Sequence, residues 1–244
     1  MRNLRLVLAY QGTAYAGWQI QPNAPTVQGV VEERLRQMTQ RPTRLRVAGR
    51  TDAGVHATGQ LANFLTESSL APRVFLRGLN ALLPPDISVL SVEEVPVDFD
   101  SRRHNLGKHY RYSIWTSRFA SVEQRLRSYH LHRPLDVVAM ATAARHFVGT
   151  LDFSAFRAAD CECKTTTRTL YRCSVSRDGP LAQIDIEGTA FLKNMVRIIA
   201  GTLVEVGRGE RVADSMPELL RSGDRPAAGM TLPPHGLCLV RVFL

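Results

Sequence analysis

The chain has 244 residues, 44% hydrophobic and 22% charged, enough to bury a sizeable core as one large domain or two smaller ones. Thirty-one lysines and arginines against 22 aspartates and glutamates give a formal charge of +9, which favours a polyanionic partner, nucleic acid first, through phosphate contacts and counterion release. No window approaches the roughly 20 continuous apolar residues of a membrane span, and no signal-peptide core follows Met1, so a cytoplasmic protein with no membrane association is expected.

Residues 4 to 10 (LRLVLAY) read as a strand, followed by a glycine-bearing loop from Gly12 to Gln21 and by Thr26 as an N-cap. A helix is expected over Val27 to Thr39, where Val27, Val30, Val31, Leu35 and Met38 recur at helical spacing. Arg44 to Val47 and Gln60 to Leu65 read as strands, which leaves Ala48 to Gly59 as their connection. A second helix lies between Ala71 and Leu83, stopped by Pro84-Pro85, with Ile87 to Val92 as the next strand. The polar, irregular stretch from Pro96 to Arg103 marks the boundary of two halves, 1-105 and 106-244.

The second half opens with a strand over Lys108 to Trp115 and a helix from Leu135 to Phe147, with Gly149 placed as its C-terminal stop. Strands near Thr165 to Ser176 and Leu181 to Glu187, helices at Ala190 to Val206 and Ser215 to Ser222, and a last strand over Gly236 to Leu244 complete the pattern. A short internal echo, Gly12-Thr13-Ala14-Tyr15 against Gly188-Thr189-Ala190-Phe191, follows a strand in each half. The expected class is α+β. Two similar strand-helix halves share a largely antiparallel mixed sheet, with helices on one side and a basic cleft between the halves that suits RNA.

The densest chemical signal is Ala48 to Ala57 (AGRTDAGVHA), where Asp52 sits between glycines in a loop joining two strands. Such a loop holds a carboxylate rigidly and exposes it; equally, Asp52 can cap backbone amides in a plain tight turn. Arg50, two residues earlier, is too constrained to be assumed the partner of Asp52 but can reach a phosphate or a displaced base. Tyr110 and Tyr112 share one face of a strand and suit either a site or the core. Arg197 lies in an otherwise apolar helix and must snorkel out or find an anion. Lys193, one turn earlier, reads as a solvated lysine, and His56 as a packed or turn-stabilising histidine outside catalysis. Cys161, Cys163, Cys173 and Cys238 lack paired Cys-x-x-Cys spacing and are too few for a disulfide framework, so they read as reduced and incidental; a metal shared by Cys161 and Cys163 is the alternative.

Gly49 to Ala57 resembles, without departure, the catalytic signature of the tRNA pseudouridine synthase A family, Gly-Arg-Thr-Asp-x-Gly-Val-His-Ala. Further family-like segments follow in order: Tyr10 to Gln19 (YQGTAYAGWQ), Lys108 to Tyr112 (KHYRY), Asp152 to Ala158 (DFSAFRA), Phe191 to Gly201 (FLKNMVRIIAG) and Gly236 to Leu239 (GLCL). The resemblance implies Asp52 as the catalytic aspartate, nucleophile or base, with Arg197 as its basic partner. It also implies Tyr110 stacked on the target uracil and Arg50 holding the flipped nucleotide. Lys164 to Thr167 (KTTT) departs from the arginine-threonine-proline type of sequence common in relatives, which leaves RNA contacts near that loop in doubt.

The implied reaction isomerises uridine to pseudouridine in the tRNA anticodon stem-loop, at positions 38, 39 and 40, in a homodimer. The N1 to C1′ bond breaks, uracil rotates, and C5 joins C1′. The change is redox-neutral, so no metal and no small-molecule cofactor is chemically required, and no P-loop or dinucleotide fingerprint is present. A single carboxylate suits it, either by forming a covalent sugar adduct or by acting as base at C2′ toward a glycal. Two other classes fit parts of the pattern: a non-catalytic RNA-binding protein, which gives Asp52 no job, and a carboxylate-dependent nucleoside hydrolase, for which the sequence offers no second acid or metal cluster.

Overall fold

Leu4, Leu6, Leu8 and Tyr10 alternate along Arg2–Tyr10 (β1) and are 5% exposed or less, so one face of this strand is all core. The computed structural model describes residues 1–244. After β1 come α1 (Val27–Thr39), β2 (Arg46–Val47), β3 (His56–Thr66), α2 (Pro72–Leu82), β4 (Ile87–Val95) and β5 (Gly107–Thr116). Then follow β6 (Tyr129–Leu131), α3 (Val137–Arg145), β7 (Gly149–Asp152), β8 (Thr167–Asp178), β9 (Leu181–Gly188), α4 (Met195–Gly207), α5 (Met216–Ser222) and β10 (Leu237–Phe243). The class is α+β with largely antiparallel mixed pairing, as expected. No helix is long and apolar enough to cross a membrane. The chain divides into a first unit, Met1–Leu106 with Cys238–Leu244, and a second, Gly107–Leu237.

In the first unit, β1 lies between β3 and β4, antiparallel to both, and β2 adds a short antiparallel rung to β3. The last strand, β10, returns to pair in parallel with the start of β3, Cys238 opposite His56 and Leu239 opposite Ala57. This pairing draws β3 back to His56, four residues before the expected Gln60. α1 has the expected bounds because Thr26 Oγ1 accepts from Gly29 N at 3.3 Å. Val27, Val31 and Leu35 are buried, while Val30 and Met38 are half-buried at the rim of that face. Phe75 and Leu79 of α2 join the core, Phe75 edge-on to Phe64 at 5.6 Å.

In the second unit β9 lies between β5 and β8, with β7 beyond β8, all antiparallel; β6 runs parallel to β5. Tyr112, Ile114, Ile184 and Ile186 form the buried face, and Phe147, Phe153 and Phe156 cluster with centroids 5.1 to 6.5 Å apart. The opposite face of the same strands is polar. There Asp185 is held by His109 at 2.5 Å and by Arg111 through bonds of 2.9 and 3.3 Å.

Two helices and two short strands also depart from expectation. α3 starts at Val137 because the Asp136 carboxylate caps Val138 N and Ala139 N, and it ends at Arg145; Gly149, at φ +121, opens β7 and does not stop the helix. α4 starts at Met195, not Ala190, because Asn194 adopts φ 61 just before it, a left-handed conformation that asparagine tolerates. β6 and β7, three and four residues long, carry too little pattern to be seen in advance.

Candidate active site

The connection from Ala48 to Val55 is built as a cradle with one exposed tip. Ala48 N donates to Leu61 O at 2.9 Å, continuing the β2 rung before the chain leaves the sheet. Gly49 O then accepts from Gln60 Nε2 at 2.8 Å, and Thr51 Oγ1 bonds the Tyr10 hydroxyl at 2.8 Å. Gln60 Nε2 also reaches Tyr10 Oη at 3.3 Å, so one fully buried amide joins the loop to β1. Burial pushes the Tyr10 phenol above its ordinary pKa, so the hydroxyl stays protonated and the bond to Thr51 persists across neutral pH.

The segment after β1 forms the other wall. Trp18 N donates to Thr51 O at 3.0 Å, Gly54 N to Tyr15 O at 3.3 Å, and Gly12 N to His56 Nδ1 at 3.1 Å. The last bond makes Nδ1 an acceptor, which places the ring proton of neutral His56 on Nε2. Two glycines permit this approach. A Cβ at Gly12 would meet Val55 O at 2.0 Å, and Gly17, at φ +91, would bring a Cβ to 2.7 Å from Thr51 O. Val55 N returns to Asp52 O at 3.1 Å across Gly54, at φ +77. Thr51, Val55 and His56 are buried as a result, whereas Arg50, Asp52 and Ala53 face solvent.

In the second unit, Tyr110 on β5 is 8% exposed and meets the Phe191 ring edge-on, 5.1 Å between centroids. Tyr112, two residues on, is fully buried and donates to Pro233 O at 2.8 Å. Both tyrosines of the strand are therefore buried, Tyr112 wholly and Tyr110 with a small residual exposure. Arg197 is half-buried in the first turn of α4. Its Nε donates to Leu232 O at 2.6 Å and one Nη to Asn194 Oδ1 at 2.8 Å, while Arg197 O accepts from Leu232 N at 3.3 Å. These two side-chain bonds account for part of its five-donor fork. The segment around Leu232 lies against α4 because a Cβ at Gly201 would meet Met230 O at 2.0 Å, and Gly229 N bonds Thr202 Oγ1 at 2.9 Å.

Asp52 and Arg50 therefore share one loop of the first unit, and Tyr110 and Arg197 belong to the second. Lys193 precedes α4 and pairs with Asp160 at 2.5 Å, so it is neither one helical turn before Arg197 nor simply solvated. Tyr10, Gln60 and Asn194 were not anticipated. The available signal was a glutamine at a core-facing position of β3. All four cysteines are free thiols, and burial pushes Cys173 up to about 12. No group of three or more His, Cys, Asp or Glu side chains is arranged to hold a metal.

The model of a family described as tRNA pseudouridine synthase matches residues 6–102 and 143–243, segments that contain Arg50, Asp52 and Arg197. "tRNA pseudouridine synthase A" of Geotalea daltonii is 51% identical, and that of Geotalea uraniireducens 52%, each over 100% of this chain and 100% of the relative. The protein of the same name from Myxococcus xanthus is 48% identical over 100% of this chain and 92% of its own length. With the signature loop, full-length similarity and the α+β fold in agreement, this chain belongs to the tRNA pseudouridine synthase family.

Proposed function

We propose that this pseudouridine synthase isomerises uridines 38, 39 and 40 of the tRNA anticodon stem-loop, with Asp52 acting on the ribose of the target nucleotide. The observation that carries the reading is an exposed Asp52 whose buried neighbours Thr51 and Val55 are fixed by hydrogen bonds on both sides. A carboxylate presented this way is positioned before substrate arrives, so little ordering is left to be done in the transition state.

Asp52 stabilises C1′ as the glycosidic bond breaks, by covalent capture or as base at C2′. The released uracil turns, C5 bonds to C1′ and gives up its proton, and N1, freed from C1′, takes one up, so atoms and electrons balance without an oxidant or reductant. Tyr110 supplies the aromatic ring for the uracil face, its ring held edge-on against Phe191. Arg197 neutralises the Asp52 carboxylate and fixes its orientation, and Arg50 holds the flipped nucleotide or its phosphate. The enzyme works as a cytoplasmic homodimer in which one protomer grips the tRNA body while the other acts.

The test is tritium release from C5-tritiated, unmodified tRNA without added cofactor. The wild type releases tritium and no free uracil, and Asp52→Ala lowers the rate by about 10⁴-fold or more, the scale of losing a reacting carboxylate. Tritium appearing only from uridines elsewhere in the tRNA overturns the anticodon-arm assignment. Undiminished release by Asp52→Ala overturns the role of Asp52.

A further inference from the structure

The twelve residues from Ser117 to Ser128, between β5 and β6, bring several arginines and exposed apolar side chains together in one short segment. They carry Arg118, Arg125 and Arg127 against one acid, Glu123, and all four are exposed. Five other arginines of the unit, Arg111, Arg172, Arg208, Arg211 and Arg221, each lie against a carboxylate, while exposed Arg133 and Arg145 stand apart from one another without an ion pair. None of the three loop arginines joins an ion pair or a side-chain hydrogen bond; Arg118 instead lies over the Phe119 ring, 5.4 Å from its centroid. Phe119 is 72% exposed and Val122 84% exposed.

This surface is not slack chain. Trp115 Nε1 donates to Phe119 O at 3.0 Å, and His130 Nε2 bonds Ser117 O at 2.9 Å, which ties the first three residues of the loop to both flanking strands. Gln124 N bonds Ser121 Oγ at 3.1 Å and Ser128 Oγ donates to Gln124 O at 2.9 Å, closing the second half of the loop on itself. The fold therefore spends local order on holding an aromatic ring and an arginine in water. Neither contributes to the core from there.

We infer that this loop is a second tRNA-contacting surface, in which Phe119 stacks on an unpaired base and Arg118, Arg125 and Arg127 take backbone phosphates; this rests on tRNA being the substrate. The chemistry points to nucleic acid because a bare ring beside a guanidinium is a sequence-tolerant stacking platform, and uncompensated arginines release counterions on meeting phosphate. Val122 adds an apolar edge. A self-complementary protein interface would need acids to answer the arginines, and the loop offers only Glu123.

The experiment measures tRNA affinity as a function of salt, and single-turnover rate at saturating enzyme, for the wild type, Phe119→Ala and the triple variant Arg118→Gln, Arg125→Gln, Arg127→Gln. Light scattering on each gives its mass. Phe119→Ala is expected to weaken affinity about tenfold. The triple variant is expected to reduce the salt slope by about one for each arginine that meets a phosphate in the wild type, with the saturated rate unchanged. Unchanged affinity and slope overturn the inference. A mass that falls on substitution overturns it in favour of self-association. A wild type that does not bind tRNA at all defeats the substrate reading itself, an outcome separate from a wild type that binds no better than the variants.

Discussion

Around Asp52 the backbone is held by polar side chains reaching in: Gln60 to Gly49, Tyr10 to Thr51, His56 to Gly12. Around Arg197 hydrogen bonds to Leu232 O and Asn194 Oδ1 are joined by close backbone packing inside a helix, Gly201 letting α4 touch the carbonyl of Met230 at a distance no Cβ permits. Hydrogen bonds place a loop with directional accuracy but contribute only about 1 kcal/mol each, net of lost water. Close backbone packing tolerates no added atom, and its failure is abrupt. The first arrangement suits a residue that must be aimed, the second a turn on which an aimed arginine rests.

The sharpest way to break the contrast is to add one methyl group to each side. Gly201→Ala is expected to cost about 3 kcal/mol, since its Cβ would stand 2.0 Å from Met230 O and the segment must move. For a chain of this size that lowers the melting temperature by roughly 6 to 12 °C, read by thermal unfolding. Gly12→Ala faces an equal clash with Val55 O, three residues from Asp52, so the segment that must shift carries the carboxylate with it. There we expect turnover to fall by about 100-fold, the cost of a misplaced reacting group, with tRNA affinity nearly intact. Equal losses of stability in the two variants would erase the distinction.

A gentler probe is Tyr10→Phe, which removes a buried hydroxyl shared by Thr51 and Gln60 and should cost about 1 kcal/mol. The expected signature is a several-fold lower kcat with KM unchanged, because the ring still fills its place beside Trp18. A change in KM alone would mean that the cradle serves binding, not aim.

The smallest effect is in acid. Burial pushes the Asp185 carboxyl up, but the bonds from His109 and Arg111 outweigh it and leave the carboxyl below its usual value. A depressed carboxyl contributes stability that is complete above its unfolded pKa, near 4, and is lost as pH falls through the lower folded value. The second unit should therefore weaken first in acid below about pH 4. Asp185→Asn should flatten that part of the profile, as monitored by circular dichroism.

Legibility divides along the same line between local and distant causes. α1 was readable to the residue because Thr26, its cap, stands beside it in sequence. The Asp52 loop was readable because its glycines and acid are neighbours. The wall that aims Asp52 was not, since Tyr10 is 41 residues from Thr51. Likewise Arg197 had to satisfy its charge somewhere, but nothing near it announces Leu232, 35 residues on. The early start given to α4 came from reading apolar residues through Asn194, whose φ of 61 ends the pattern without breaking it in sequence.

The return of β10 to β3 gives the first unit an unusual timetable. Thr58 donates to Val240 O across 182 residues, so the strand that leaves the Asp52 loop waits for its neighbour while the whole second unit is being made. At about 5 to 20 residues per second, that wait is roughly 10 to 40 seconds on the ribosome. Throughout it, one edge of β3 is open to mispairing. The second unit, Gly107–Leu237, is therefore complete only just before the strand that covers the start of β3, at the foot of the Asp52 loop, is made.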